Sequence, residues 1–186
     1  MARLILLLLL LIFEPARAGN QPASDELAPE FALKNLKGQT VRLADCKGKV
    51  LLINFWATWC APCRAEMPDL AKLKRAHAKR GLEIIGITYP PTNRQSVRRV
   101  AKQLKINYPI LFGTGAIADA YGAGEVLPTT IVVDREGKIR ARILGILTPE
   151  EFEQSVKPLL APMATINLKS QISDWRSRRP ANLQAK

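Results

Sequence analysis

The sequence predicts an α/β domain in which a mixed central sheet is flanked by helices and preceded by a β-hairpin. Two nearly continuous apolar runs, at residues 50–56 and 82–89, are typical of strands covered on both faces. Segments with apolar residues at helical spacing alternate with these runs, which is the pattern of an α/β sheet. The last two predicted strands are joined by a short turn, so we expect one edge of the sheet to be antiparallel.

The N-terminal elements follow from turn and helix signals. Residues 31–33 and 40–43 are predicted to form the two strands of a hairpin, because Gly38 supplies the turn between them. The apolar strand at 50–56 comes next. Residues 61–80 then carry apolar side chains every three or four positions, and a glycine directly after them marks the end of a long helix.

The second half of the chain continues the alternation of strands and helices. Thr148 is the expected N-cap of the last helix, with Pro149 at its first position and Glu151 three residues after the cap, and this helix ends near Leu160. Before it, the pattern predicts strands at 82–89, 108–112, 129–134 and 139–145 and helices at 95–105 and 117–121.

Composition and charge exclude several classes of protein. With 47% hydrophobic and 24% charged residues, the chain is neither disordered nor collagen-like. Its formal net charge of +12 is spread over two helices and the C-terminal segment, without an aromatic stripe for stacking bases. We therefore expect no nucleic-acid partner and interpret the charge as a solvated basic surface, or as weak attraction to anionic lipid or partners. Three cysteines are too few for a disulfide scaffold.

Both ends of the chain are expected to lie outside the domain. The apolar run at 4–13 is too short to cross a bilayer, and small residues at Ala16 and Ala18 match a cleavage site. We therefore expect a cleaved signal peptide and a periplasmic or otherwise extracytoplasmic protein; a buried N-terminal helix and an uncleaved anchor are the alternatives. The predicted division is a signal peptide at 1–18, a flexible leader at 19–27, one domain at 28–161 and a basic tail at 162–186.

The motif Trp59-Cys60-Ala61-Pro62-Cys63 carries the chemistry. It lies between the apolar strand and the long helix, so Cys60 falls at the helix start, where free N–H groups and the helix dipole favour a thiolate. A thiolate is the nucleophile in disulfide exchange. Cys63 lies in the same turn, close enough to Cys60 to form a disulfide. Pro62 has no backbone N–H, but this omission costs little free energy in the first turn of a helix. The motif therefore predicts a redox-active cysteine pair.

These segments resemble the thioredoxin superfamily, and more closely its TlpA/ResA-like exported branch, over about residues 28–161. The resemblance is carried by APEFALKNLKGQTVRL, GKVLLINFWATWCAPCRAEMP, LPTT and VVDREGKI. It implies a thioredoxin fold and a thiol–disulfide oxidoreductase that acts on protein thiols or disulfides without a cofactor. It also implies a membrane protein as electron donor and makes reduction of apocytochrome c, in cytochrome c maturation, the best single expectation of a pathway.

The same resemblance assigns roles to the motif and to LPTT. Cys60 corresponds to the attacking, more exposed cysteine and Cys63 to the buried resolving one. Pro128 corresponds to a cis-proline that faces the disulfide and lines the groove for substrate backbone. Leu127 and Pro128, together with two residues flanking the cysteines, are therefore the expected substrate contacts; the flanking residues are Trp59 and Pro62.

Glu66 is a candidate for proton transfer. It stands three residues after Cys63 on the same helical face, where the exported branch often places a carboxylate. If burial raises its pKa, it can exchange the proton of the resolving cysteine; the alternative is an exposed Glu near a helix N-terminus. Asn54 stands where cytoplasmic thioredoxins carry a buried Asp.

Metal and haem sites compete for the same cysteines. A zinc site would need Cys46 and His77, yet His77 lies roughly 21 Å along the helix from Cys63 at 1.5 Å per residue. Haem attachment needs His after the second cysteine, and Arg64 is there. We therefore expect no metal ligands.

Two other activities remain as alternatives. A thiol peroxidase of the neighbouring peroxiredoxin family would carry Thr three residues before its reactive cysteine, where this chain has Ala57. A metal- or haem-handling thioredoxin-like chaperone would use wider cysteine spacing and a nearby His. Cys46 itself is either half-buried and inert, which the sequence favours, or exposed and able to mispair.

Overall fold

The computed structural model describes residues 26–90 and 93–161. The predicted signal peptide, most of the predicted leader and the basic tail at 162–186 lie outside the described residues. Within these ranges, no helix is both long enough and apolar enough to cross a membrane.

The strands of the described ranges form two sheets. A two-stranded antiparallel sheet precedes a five-stranded sheet with the order β5-β4-β3-β6-β7. Strand β3 pairs in parallel with β4, and β4 with β5, whereas β6 is antiparallel to both β3 and β7. The predicted mixed sheet with an antiparallel edge is confirmed. The strands are β1 (Ala32–Lys34), β2 (Thr40–Arg42), β3 (Val50–Trp56), β4 (Leu82–Thr88), β5 (Ile110–Phe112), β6 (Thr129–Val133) and β7 (Ile139–Leu144).

Helices cover both faces of the larger sheet. They are α1 (Ala61–His77), α2 (Arg94–Gln103), α3 (Gly115–Ala120) and α4 (Pro149–Glu151), with 3₁₀ turns at Leu43–Cys46, Ala78–Arg80 and Lys157–Leu160 and a π-helical segment at Phe152–Val156. Helix α1 contains Pro68, and Gly81 follows the end of the helical segment with φ +89°, a conformation that suits glycine.

The central strand explains why its sequence is almost wholly apolar. All of β3 is buried, and its side chains alternate between two cores. Leu52 and Trp56 pack into the core that contains the inner faces of α1 and α2, whereas Ile53 and Phe55 pack into the core beneath α3 and the hairpin. Burying each such side chain stabilises the fold by ~1.5–3 kcal/mol, so β3 holds the two layers together.

The predicted hairpin is present. Gly38 has φ +81° in its turn, and the side-chain carbonyl oxygen of Asn35 accepts the backbone N–H groups of Lys37 and Gln39. A bridge between Asn35 and Leu111 of β5 attaches the hairpin to the edge of the main sheet.

The last two residues of the predicted flexible leader are attached to the domain. Leu27 forms a β-bridge with Lys138, and the backbone N–H of Ile139 donates to the carbonyl oxygen of Glu26 at 2.8 Å. These backbone groups pair with the start of the edge strand β7, so Glu26 and Leu27 are in contact with the domain predicted at 28–161.

The last helix differs from the prediction in its form. Its capping box is confirmed, since Thr148 and Glu151 exchange side-chain and backbone hydrogen bonds. It is not one continuous α-helix, however, because π-helical and 3₁₀ segments follow the first turn. Pro158 accounts for the change, since it has no N–H and its ring clashes with the carbonyl four residues earlier.

Candidate active site

The two motif cysteines form a disulfide at the N-terminus of α1. Cys60 is the N-cap residue, and Cys63 lies in the first turn, with 5.3 Å between the two Cα atoms. The backbone N–H of Cys63 donates to Sγ of Cys60 at 3.2 Å. In the reduced protein, this N–H and the positive end of the helix dipole favour a thiolate on Cys60.

Both cysteines lie below the molecular surface. Cys60 is 3% exposed and Cys63 is fully buried, so the order of exposure implied by the resemblance holds by a small margin. Trp59 is 68% exposed, and Pro62 is exposed as well. These two residues, each adjacent in sequence to a cysteine of the pair, are therefore accessible to a substrate.

A cis peptide bond joins Leu127 to Pro128, in agreement with the prediction for Pro128. Pro128 is buried, and its carbonyl oxygen accepts the backbone N–H of Gly145 at 2.8 Å. The next residue, Thr129, begins β6 and pairs with Phe55 near the carboxyl end of β3. Because α1 and its cysteines follow that same end of β3, Pro128 and the disulfide lie at one end of the sheet.

Glu66 lies inside the protein, one helical turn after Cys63, with 4% of its surface exposed. Its Oε1 accepts a hydrogen bond from Nδ2 of Asn54 at 2.7 Å, and its Oε2 accepts one from the backbone N–H of Leu147 at 3.0 Å. The structure therefore excludes the alternative in which Glu66 is a solvent-exposed helix residue.

The environment of Glu66 opposes its ionisation. Burial raises the pKa of the Glu66 carboxyl, and the charge of Glu151 raises it further, while the hydrogen bonds from Leu147 and Asn54 act in the opposite direction. A raised pKa makes the Glu66 carboxylate a stronger base than an exposed one, which suits it to accept a proton.

Large apolar side chains are exposed at the same end of the sheet. Leu144 pairs with Thr129, and Gly145 bonds to Pro128, so the end of β7 and the residues after it lie beside the cis-proline. We call the exposed apolar residues at this end the apolar rim; they are Trp59, Val126, Leu144 and Ile146, which are 68%, 41%, 61% and 45% exposed. An exposed apolar surface around a reactive group suits the binding of a protein segment.

The third cysteine is remote from this site. Cys46 ends the 3₁₀ turn before β3, is 7% exposed and forms no disulfide. Burial, followed by the charge of Glu83, raises the pKa of its thiol to about 11. Cys46 is therefore buried more fully than the half-buried state favoured from the sequence. Among the described residues, no three His, Cys, Asp or Glu side chains are grouped as a metal site would require.

Sequence reasoning missed several parts of the site. It predicted neither the contact of Asn54 with Glu66 nor the bond from Leu147, and it did not single out Leu144 or Ile146. Asn54 carried a detectable signal, since it is the one polar residue in the run VLLINFW. Ile146 carried a weaker signal, because apolar residues continue past the last predicted strand at 139–145.

A thioredoxin fold with a CxxC disulfide at the start of α1 and a cis-proline at the same end of the sheet defines a thiol–disulfide oxidoreductase. Comparison of the sequence with known protein families agrees with this class. Residues 25–142 match the profile of the AhpC/TSA family, and the chain belongs to this family.

Individual relatives are of the same kind. The thiol-disulfide oxidoreductase ResA of Geobacillus thermodenitrificans (strain NG80-2) is 37% identical over 135 residues, which span 70% of this chain and 76% of ResA. The thioredoxin-like protein YneN of Bacillus subtilis (strain 168) is 38% identical over 130 residues, spanning 69% of this chain and 76% of YneN. Among solved structures, a thiol:disulfide interchange protein of the thioredoxin family from Chlorobium tepidum TLS has a TM-score of 0.67 and 31% identity, covering 75% of this chain and 99% of that one. The predicted fold and enzyme class are confirmed.

Proposed function

We propose that this enzyme reduces protein disulfides, with Cys60 as the nucleophile and Cys63 as the resolving cysteine. The observation that carries the proposal is their disulfide at the N-terminus of α1, where Sγ of Cys60 accepts the N–H of Cys63. That position stabilises a thiolate on Cys60, whereas Cys63 is fully buried and reaches only its neighbour.

The first step is attack by the Cys60 thiolate on one sulfur of a substrate disulfide. A mixed disulfide forms between Cys60 and the substrate, and the second substrate sulfur leaves as a thiolate that takes up a proton. The proposed substrate contacts are Leu127 and Pro128, directly before β6, and the exposed Trp59 and Pro62 next to the cysteines.

The second step releases the substrate. Cys63 gives its proton to the Glu66 carboxylate, and the resulting thiolate attacks Sγ of Cys60. The Cys60–Cys63 disulfide forms, and the substrate sulfur that was bonded to Cys60 leaves as a thiolate. Two electrons have then passed from the cysteine pair to the substrate. An external dithiol must reduce the pair before the next turnover.

The compartment and the partners are also part of the proposal. We place the enzyme in the periplasm or another extracytoplasmic space, because residues 1–18 have the features of a signal peptide. The client is proposed to be apocytochrome c and the electron donor a membrane protein, which rests on the resemblance to the TlpA/ResA-like branch. Finding the protein in the periplasmic fraction with Gly19 as its first residue would support this placement; an intact N-terminus in the cytoplasm would refute it.

The activity is tested by mixing the protein with insulin and dithiothreitol, which re-reduces the cysteine pair, and measuring the reduction of the insulin disulfides above the rate with dithiothreitol alone. The wild-type protein should reduce insulin, Cys60→Ser should show no turnover, and Cys46→Ser should behave as wild type. Full activity of Cys60→Ser would refute the mechanism.

A further inference from the structure

Asn54 occupies an unusual position for a polar side chain. It lies in the middle of β3, is fully buried, and its strand neighbours are apolar. Its Nδ2 donates two hydrogen bonds, one to Oε1 of Glu66 at 2.7 Å and one to Oγ1 of Thr130 at 3.0 Å. The amide therefore links the helix that carries Cys63 to the strand that follows Pro128.

Stability alone does not explain an asparagine here. Both N–H groups of the amide are used, but its Oδ1 is buried and has no hydrogen-bond partner among the described residues. A buried acceptor without a partner is costly, and an apolar side chain in this core would avoid that cost. The benefit of Asn54 must therefore come from what its Nδ2 contacts.

We propose that Asn54 is a positioning residue of the reaction: it holds the Glu66 carboxylate in place for proton exchange with Cys63, and Thr130 holds the Asn54 amide. This inference rests on the proposed function, since it concerns the second step of that mechanism. Asn54 does not contact substrate and acts only through Glu66.

The arrangement fixes both oxygens of Glu66. Oε1 is held by Asn54 from β3, and Oε2 is held by the backbone N–H of Leu147, so the carboxylate has a single orientation. Both bonds are donated to the carboxylate and favour the ionised form, the form that accepts a proton from Cys63.

Two other titratable groups on neighbouring elements interact with Glu66. Glu151 of α4 repels a charge on Glu66, and Tyr108, which precedes β5, has a phenol with a pKa raised by burial and therefore remains neutral. Since neither group stabilises the Glu66 carboxylate, loss of the Asn54 contact is not compensated from these sides.

The test is the pH dependence of the resolution step. A mixed disulfide is prepared between Cys60 and a peptide thiol, and its release by Cys63 is followed in a single turnover from pH 5 to 10. Asn54→Ala should raise the midpoint of this profile by about one pH unit, because loss of a hydrogen bond to a charged group weakens the acid by roughly tenfold. The matched control is Asn107→Ala. It removes a hydrogen bond from a side-chain amide to the backbone carbonyl of Ala71 in α1, and it should leave the midpoint unchanged.

A merely structural role for Asn54 predicts a different result. In a Glu66→Gln background, Asn54→Ala should cause no further change of the profile if Asn54 acts through Glu66. The same shift in both backgrounds would overturn the proposal, as would a wild-type profile for folded Asn54→Ala.

If Asn54→Ala does not fold, the proposal is tested with Thr130→Val instead. It keeps the shape of the side chain but removes the acceptor for Asn54, and it should move the midpoint in the same direction by a smaller amount. Thr88→Val is its control, since the buried hydroxyl of Thr88 donates to Leu111 away from Glu66. Equal profiles for the two valine variants would overturn the proposal. If the wild-type protein showed no exchange that depends on Cys60, the proposed function itself would fail, which is a distinguishable outcome.

Discussion

Nδ2 of Asn54 lies 2.7 Å from Oε1 of Glu66, and this buried contact joins the central strand to the helix that begins at the disulfide. The two residues are 12 positions apart in the chain, on either side of the cysteine motif. Strand β3, which precedes Cys60 in the chain, therefore also positions the Glu66 carboxyl one helical turn after Cys63. Chemistry at the cysteines and packing of the sheet are connected through this pair.

Glu66→Gln should slow resolution of the mixed disulfide near neutral pH more than at alkaline pH. Burial raises the pKa of Glu66, so its carboxylate form, which accepts the proton, is lost as pH falls through that raised pKa. At alkaline pH, Cys63 can lose its proton to solvent, and the variant should approach the wild-type rate. Single-turnover kinetics across pH measure this difference.

The control for that experiment is Glu83→Gln. Glu83 is a partly buried carboxylate paired with Lys74, and its pKa is lowered. It takes no part in the proposed reaction, and its replacement should leave the pH profile unaltered. If Glu66→Gln and wild type had superimposable profiles, Glu66 would have no place in the mechanism.

Cys63→Ser should accumulate a mixed disulfide with protein substrates. The Cys60 thiolate can still attack, but no second sulfur lies next to it to complete the exchange. Non-reducing electrophoresis and mass spectrometry should show an adduct through Cys60 that reductant removes. Cys60→Ser is the comparison, and an equal yield of adduct from that variant would assign the nucleophile to Cys63 instead.

Cys46 should be nearly unreactive in the folded protein. A pKa raised to about 11 from the ordinary thiol value leaves about 100-fold less thiolate at pH 8, and burial limits access further. With the other two cysteines held in their disulfide, alkylation by iodoacetamide should be at least about 100-fold slower in buffer than in guanidinium chloride. Similar rates in the two solvents would show that Cys46 is accessible.

Leu144→Ser should weaken the binding of protein substrates without slowing the disulfide-exchange reaction. Leu144 belongs to the apolar rim and is 61% exposed, so it is available to pack against a substrate segment. We expect KM for insulin to rise by about fivefold, equivalent to ~1 kcal/mol of lost apolar contact, with kcat unchanged. Activity toward oxidised glutathione, which is too small to cover the rim, should be unaffected.

The matched control is Leu27→Ser, because Leu27 is 66% exposed but pairs with Lys138, at the opposite end of β7 from Leu144. This substitution should change neither KM nor kcat for insulin. A KM increase of the same size in both variants would indicate a general loss of surface hydrophobicity rather than a docking surface.

The parts of the site predicted from sequence are those held together by local chain geometry. Cys60 and Cys63 share one helical turn, and Glu66 follows one turn later, so spacing alone places them. Pro128 was identified through the resemblance of LPTT to the thioredoxin superfamily. The hydrogen bonds that Leu147 donates to Glu66 and that Asn54 donates to Thr130 join residues 81 and 76 positions apart, and only the tertiary packing brings them together.

The fold shows the same division. Apolar runs and turn residues predicted the strands, since burial on two faces leaves a clear pattern in β3 and β4. The form of the last helix was not predicted, because the prediction did not take into account Pro158, whose missing N–H interrupts the α-helical hydrogen bonds. The attachment of Glu26 and Leu27 to β7 was missed because backbone pairing leaves little trace in side-chain composition.

The reduction potential of the Cys60–Cys63 pair tests the central claim most directly. The protein is equilibrated with glutathione or dithiothreitol buffers of known potential, and the oxidised fraction of the pair is measured by thiol alkylation. A reductant of protein disulfides should have a potential near or below about −230 mV, toward the thioredoxin end of the scale. A value near about −120 mV would mark a pair that introduces disulfides and would contradict the proposed direction of the reaction.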